Sequence, residues 1–276
     1  MPSLIYNDST RRVLEQLKYS LPQAILLVGE VGVGLATTAK DMAGDNLEGF
    51  VAPTDRDGQI DSTEKGIIRI KQVRELTWLA VKSSVKHRVY IIDNADQMNK
   101  NAQNAFLKLL EEPSPHTHFI LTAHRPSLLL PTVRSRVQTV LIDRISNKQT
   151  DVLLTKFSIH DHAKRQQLLF LANGLPAELY RLSLNEKYFD HKSMLMRDAK
   201  VLLQGSPVEQ SKLIEEYQKD RANTLSLLSA VQTVLQYSMR STPSHELVSR
   251  LDAATDTYDR ITANGNIRLQ LTNFLL

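Results

Sequence analysis

The chain has 276 residues, 42% of them hydrophobic and 23% charged, enough for sizeable cores and, at about 100–200 residues each, for roughly two domains. No apolar run approaches the ~20 residues that span a bilayer. The opening MPSLIYNDST lacks the basic-then-apolar block of a secretion signal, and the absence of cysteine excludes disulfides and cysteine-held zinc. A cytoplasmic protein with no membrane partner is therefore the expectation. The net charge of +4 is compatible with nucleic acid without arguing for it.

Asn7 to Tyr19 reads as a short helix with a cap at Asn7, Asp8 or Ser9 and an apolar face of Val13, Leu14 and Leu17. Pro22 ends it. Ala24 to Val28 is an apolar run of strand length that enters Gly29-Glu30-Val31-Gly32-Val33-Gly34-Leu35-Ala36-Thr37, with a helix expected from Thr37. A strand feeding a glycine-rich turn and a helix is the setting of a phosphate-binding loop, because the turn's amides and the helix N-terminus both attract an anion. Asp45 to Asp61 is polar and turn-rich, with one short strand expected over Gly49–Ala52. Ile67 to Ile70 reads as extended. Lys71 to Ser83 reads as a helix, with Val73, Leu76, Trp78, Leu79 and Ala80 apolar and the single tryptophan expected in the core. Lys82, Lys86, His87 and Arg88 form a basic cluster, read as an exposed turn before the next strand.

Val89 to Ile92 is a β-branched, apolar run too short for a helix, and it ends at Asp93. Asn101 to Glu112 carries Ala105, Phe106, Leu109 and Leu110 at helical spacing, and Pro113 disfavours helix at the residue before it. His118 to Thr122 is a second buried strand. His116 and His118 have no partner set nearby and are read as loop and strand-edge residues. Thr132 to Arg136 then displays two arginines around Ser135. Strand, acid, helix, strand, arginine is the order of an NTPase core, and strands alternating with helices imply a parallel sheet covered on both faces. After Ile142 the periodicity is helical, broken at Asn173-Gly174-Leu175-Pro176. Further helices are expected over about 190–203, 208–219, 222–237 and 245–264. The division is an α/β domain over 1–144, a small helical unit over 145–186 and a helical bundle over 187–276.

Three stretches, YIIDNADQMNKNAQNAFLKLLEEP (Tyr90–Pro113), LLPTVRSR (Leu129–Arg136) and NGNIRLQLTNFLL (Asn264–Leu276), resemble the clamp-loader branch of the AAA+ ATPases. The likeness is strongest to its delta-prime members, with the gamma/tau members next. It runs along essentially the whole chain, by helical pattern alone over 145–263. It implies an AAA+ P-loop NTPase-like parallel-sheet domain, a helical lid and an all-α collar that joins other subunits, with Leu269, Leu271, Phe274 and Leu275 packing inside that collar. One departure is Ser135-Arg136-Val137, where the family usually has cysteine last.

Set against that pattern, the nucleotide site is incomplete. A working loop reads G-x-x-x-x-G-K-[ST]; with Gly29 and Gly34 aligned, Leu35 stands for the lysine and Ala36 for the magnesium-binding hydroxyl. Thr37 and Thr38 come one and two positions late. Asp93 is where an acid would hold magnesium, but Asn94 replaces the glutamate that activates water. Ala123 and His124 stand at the γ-phosphate sensor, and Ala177-Glu178 where a sensor arginine is implied. Gly29, Gly32 and Gly34 are thus expected to form a degenerate phosphate loop with Asp93 vestigial, no cofactor held and no ATP hydrolysed.

The resemblance implies that Arg136 is an arginine finger working in a neighbour's site, and that Lys71 and Arg74 track template phosphates. The family's four-cysteine zinc module is missing, so no metal is expected. The implied partners are gamma/tau and delta clamp-loader subunits, the sliding clamp and primer–template DNA. Two other readings stay open: an active gamma/tau-type ATPase with an atypical loop, and a non-replicative scaffold that kept the fold.

Overall fold

The computed structural model describes residues 4–61, 66–81 and 85–275. The chain forms two compact units, Met1–Ser183 and Leu184–Leu276. The first opens with α1 (Asp8–Tyr19), β1 (Ala24–Val28), α2 (Leu35–Ala43), β2 (Leu47–Val51), α3 (Ile70–Ala80) and β3 (Arg88–Ile92). It continues with α4 (Lys100–Glu111), β4 (Thr117–Ala123), α5 (Pro131–Arg134) and β5 (Gln138–Leu141), then α6 (Asn147–Lys156), α7 (His162–Ala172) and α8 (Pro176–Leu184).

All five strands pair in parallel, in the order β2-β3-β4-β1-β5. Side chains alternate sides along a strand. In β1, Ala24 and Leu26 enter one core while Ile25 and Leu27 enter the other. β3 divides likewise into Tyr90 and Ile92 against Val89 and Ile91. The α3 and α4 helices supply the first core and α1 and α2 the second. A sheet covered on both faces needs apolar residues at consecutive positions, which is why these strands read as unbroken apolar runs. Phe106 of α4 meets Phe119 of β4 edge to face, with ring centroids 5.4 Å apart.

The ends of the helices follow local chemistry. Asn7 caps α1 by accepting from Ser9 N at 3.1 Å, and Asn99 caps α4 by accepting from Ala102 N at 2.9 Å. Gly34, at φ 97°, ends the loop after β1, so α2 begins at Leu35 and not at Thr37. β2 starts two residues before the expected Gly49, and a Cβ on Gly49 would come within 2.8 Å of the Tyr90 ring. Ile67 and Ile68 make isolated bridges to Thr54 and Met98 before α3 begins.

Three expectations in this unit are corrected. Trp78 is 67% exposed, not core. The buried stripe of α3 is Val73, Leu76 and Ala80; Trp78 follows Leu76 by two residues, about 200° around the helix, which turns it away from the sheet. Arg88 is buried, not part of an exposed turn. Its guanidinium donates to Leu79 O, Ala80 O and Thr117 Oγ1 at 3.2–3.3 Å, closing the C-terminal end of α3. Lys86 and His87 are exposed, while Lys82 lies outside the described residues. His116 and His118 do have a neighbour: His87 Nδ1 lies 3.0 Å from His118 Nε2, and the His87 ring meets His116 edge-on at 5.0 Å. His87 immediately precedes β3 and His118 lies on β4, its hydrogen-bonded neighbour, so residues 31 positions apart come side by side.

The second unit is all helical: α9 (Glu186–Gln204), α10 (Pro207–Tyr217), α11 (Arg221–Ser241), α12 (His245–Thr262) and α13 (Ile267–Leu275). The long α11 packs against α9 and α12. Leu227, Leu228, Val231 and Leu235 form its buried stripe, and Leu271 is the buried residue of α13. Leu269, expected inside, is 55% exposed because two residues separate it from Leu271, which puts them on opposite helix faces. The Tyr217 hydroxyl donates to Asp198 Oδ2 at 2.7 Å; burial, with that carboxylate, pushes its pKa well above the usual phenol range. Among the described residues no helix is long and apolar enough to cross a membrane.

Candidate functional site

Ligand crevices in open parallel sheets form at the carboxyl ends of the strands. Here the ends of β1, β3 and β4 bring Gly29, Asp93 and His124 together. A Cβ on Gly29 would stand 2.8 Å from Ile142 O and 2.9 Å from Val33 Cγ1, so the close approach of chain segments admits only glycine. Gly32 and Gly34 have φ of 92° and 97°, conformations L side chains rarely adopt. Asp93 follows β3 and its Oδ1 accepts from Thr122 Oγ1 at 2.7 Å, while the same hydroxyl accepts from Asn94 N at 2.8 Å. That relay anchors the acid to β4. Asn94 takes a left-handed conformation at φ 50°, which asparagine tolerates better than most residues.

The parts expected to hold triphosphate and magnesium are turned to other uses. Leu35, in the lysine's place, is 3% exposed and packs into the core on the α1–α2 side. Thr38 cannot stand in for the missing hydroxyl: it is buried, and its Oγ1 donates to Gly34 O at 3.0 Å within α2. His124 Nδ1 lies 2.7 Å from Gly29 O; since a carbonyl only accepts, Nδ1 carries the proton and the ring is bound to the loop itself. The first amides of α8 close the loop from the other side. Ala177 N and Glu178 N donate to Gly32 O at 2.9 and 3.2 Å, so donors that a helix N-terminus offers to an anion meet a carbonyl instead. Arg144 Nε donates to Glu30 Oε1 at 2.6 Å and its Nη1 to Asn173 O at 3.0 Å, bracing the same loop. The residues present do not fit a magnesium-bound triphosphate. Among the described residues, no group of three or more His, Cys, Asp or Glu side chains is placed to hold a metal.

Arg136 sits on the turn after α5, its side chain 38% exposed. The turn is set by Pro131, whose fixed φ suits a helix start, and by Val133 and Leu129, which are buried beneath it. The guanidinium folds back on its own surface: Nη1 donates to Thr132 O at 3.0 Å, and Nη2 pairs with Glu111 Oε1, at the end of α4, at 3.0 Å. Arg134 is also exposed.

Lys71 and Arg74 are exposed on α3, one turn apart. Arg74 and Trp78 line a groove of about 850 Å³ between α3 and α4, whose other wall carries Asn101, Asn104 and Lys108. The start of α3 is held by Arg69, which the sequence reading passed over. Its Nη1 donates to Thr54 O, Thr54 Oγ1 and Asp55 O at 2.9–3.1 Å, and Gln72 Oε1 accepts from Arg69 N at 2.9 Å. Asp96 was also missed. It is buried, and its Oδ2 accepts from Arg125 N at 2.9 Å, which orients the segment leading to Arg136. The only hint in the sequence is a second acid three residues after Asp93.

Comparison with known proteins adds four findings. A family model described as DNA polymerase III, delta subunit, matches residues 49–146, a stretch that holds Lys71, Arg74, Asp93 and Arg136 but not the glycine-rich loop. The chain is 34% identical to DNA polymerase III subunit delta′ of Bacillus subtilis over 117 residues, 42% of this chain and 35% of that protein. It is 32% identical to the delta′ subunit of Pseudomonas aeruginosa over 151 residues, 52% of this chain and 46% of that one. The match therefore spans less than half the length of these relatives. Among solved structures, a DNA polymerase III gamma subunit-related protein from Thermotoga maritima superposes with a TM-score of 0.54 over 97% of both chains at 19% identity, which shows a shared fold.

Proposed function

We propose that this chain, an AAA+ clamp-loader family member close to delta′ in its sheet-bearing half, is a ring subunit that does not hydrolyse ATP but lends Arg136 to the nucleotide site of a neighbour. The observation that carries this reading is the contrast within one unit. The chain's own loop has a core leucine where a phosphate-binding cation belongs and a capped carbonyl at Gly32. Arg136 is meanwhile displayed on an exposed turn, held by a surface ion pair and by hydrogen bonds from its Nη1 to Thr132 O and Ser135 Oγ. A guanidinium is always charged and forked, which suits the oxygens of a transferring phosphate. Arginines of this kind are worth about 10³–10⁵ in rate in GTPase systems.

In this reading gamma/tau and delta subunits are the ring partners, the helical unit from Leu184 onward serves as a collar, and the ring places a sliding clamp on primer–template DNA. Lys71 and Arg74 contact template phosphates; such contacts position the duplex without reading sequence and weaken with salt. The test is reconstitution with gamma/tau and delta subunits. With Arg136→Ala the ring should assemble while its DNA-stimulated ATPase drops. Unchanged ATPase would remove the finger, and failure of the wild-type chain to join any ring would remove the clamp-loader reading. ATP turnover by the isolated chain, abolished by Asp93→Ala, would replace both with a gamma/tau-type ATPase.

A further inference from the structure

At the amino ends of β3 and β4, the far end of the sheet from the glycine-rich loop, three histidines gather. His87 Nδ1 lies 3.0 Å from His118 Nε2, and the two rings are stacked at 24° with centroids 5.3 Å apart. His116 meets the His87 ring edge-on, which limits its rotation. His87 and His116 are exposed and His118 is half-buried, so the cluster is open to solvent. The backbone beneath it is fixed: Val89 pairs with His118 across the two strands, and Arg88 N donates to His116 O at 2.8 Å. His118 Nδ1 lies 3.0 Å from Pro22 O. A carbonyl only accepts, so Nδ1 carries the proton and Nε2 holds a lone pair. The hydrogen in the contact between the two rings therefore belongs to His87 Nδ1.

We propose that His87 and His118 form a two-imidazole site for a late first-row divalent cation, nickel(II) or copper(II) ahead of zinc. The missing cysteines that argued against a metal have no bearing on imidazole donors. A ligating imidazole usually donates its other N–H to a carbonyl or carboxylate, which fixes ring and tautomer; Pro22 O already holds His118 in this way. With metal–nitrogen bonds of about 2.05 Å, the length found for zinc, nitrogens 3.0 Å apart subtend about 94° at the metal, whereas a tetrahedral centre needs them about 3.3 Å apart. The spacing suits the tetragonal geometry of copper and nickel better than that of zinc. The cation takes the place of the hydrogen between the rings: His87 gives up its Nδ1 proton and takes one up at Nε2, so the ring stays neutral and both facing nitrogens become donors. Two protein donors are fewer than the three or four of dedicated zinc sites, so water completes the shell and the affinity is modest. A cation held there ties the starts of β3 and β4 together.

Isothermal titration calorimetry of the full chain tests this with nickel chloride as the probe, at about pH 7.5, where an ordinary imidazole is neutral. No ring partner is needed, so the outcome is independent of the clamp-loader reading. One site is expected. His87→Ala and His118→Ala should each weaken it at least about tenfold, the lower limit for losing even an outer-shell partner, with the circular dichroism spectrum unchanged. His160→Ala combined with His162→Ala, which removes two exposed histidines elsewhere, should leave it unchanged. Nickel should raise the urea midpoint of the wild type and not that of His87→Ala. With copper(II) as the probe, the electron paramagnetic resonance spectrum should show two protein nitrogens. Absence of nickel binding up to about 1 mM overturns the proposal. So does a His87→Ala chain that binds nickel as the wild type does, loss of the site in the His160 and His162 variant, or a copper spectrum without two nitrogens.

Discussion

In the proposed role Arg136 must leave Glu111 to reach a neighbour, and the cost of that release follows from the structure. The pair is 3.0 Å apart, with side chains 38% and 49% exposed. Ion pairs at such exposure contribute about 0.2–1 kcal/mol, because solvent screens the attraction and two long side chains lose freedom to form it. Glu111→Gln removes the charge that holds the arginine back while leaving the Thr132 carbonyl bond in place. The population of released arginine should then rise by about 1.4- to 5-fold, the Boltzmann factor for that range. In a reconstituted ring at low ionic strength, DNA-stimulated ATPase should increase by up to that factor, and the ratio of variant to wild type should approach one as salt screens the pair. The isolated chain should lose no more than about 1 kcal/mol of stability in urea. The double variant Glu111→Gln with Arg136→Ala should behave as Arg136→Ala alone. An increase that persists in the Arg136→Ala background, or a fall in rate on Glu111→Gln, would refute the idea that this pair restrains a finger.

Phe106→Ala removes a fully buried ring that packs on Phe119 and should cost about 3–5 kcal/mol, read as a lower urea midpoint with an unchanged slope. Trp78→Ala should change stability by less than about 0.5 kcal/mol, and the single tryptophan of the wild type should be quenched freely by iodide; a protected, blue-shifted emission would contradict its placement on the exposed face of α3. Alkaline titration checks Tyr6. With its pKa raised from 10.0 to about 12, the folded chain keeps a proton that the unfolded chain has lost, so its contribution is intact below pH 10 and stability falls as pH rises toward 12. Tyr6→Phe should flatten that part of the profile.

Local chemistry in the sequence determined much of this protein. The apolar runs at Ala24–Val28 and Val89–Ile92 had to be strands covered on two faces, and the parallel sheet follows from their alternation with helices. The absence of lysine at Leu35 and of glutamate at Asn94 was legible residue by residue, since loop chemistry depends on side-chain type at fixed spacing. The order of Asp93, α4 and Arg136 was equally plain, and with it the resemblance.

Tertiary structure alone decided which side of each helix is covered and what meets across distance. Both Trp78 and Leu269 read as apolar helix positions, yet each lies two residues from a buried leucine and so faces away from the packing. Arg88 looks like a surface charge in a basic run, but the end of α3 leaves carbonyls that need a donor, and the guanidinium fills that need. The capping of Gly32 by α8 joins residues about 145 positions apart, and the hold of Glu111 on Arg136 joins the ends of α4 and α5. A sequence pattern states which faces can be buried and which groups need partners. The choice of partner depends on which distant segment the packed sheet brings alongside, and no local spacing encodes it.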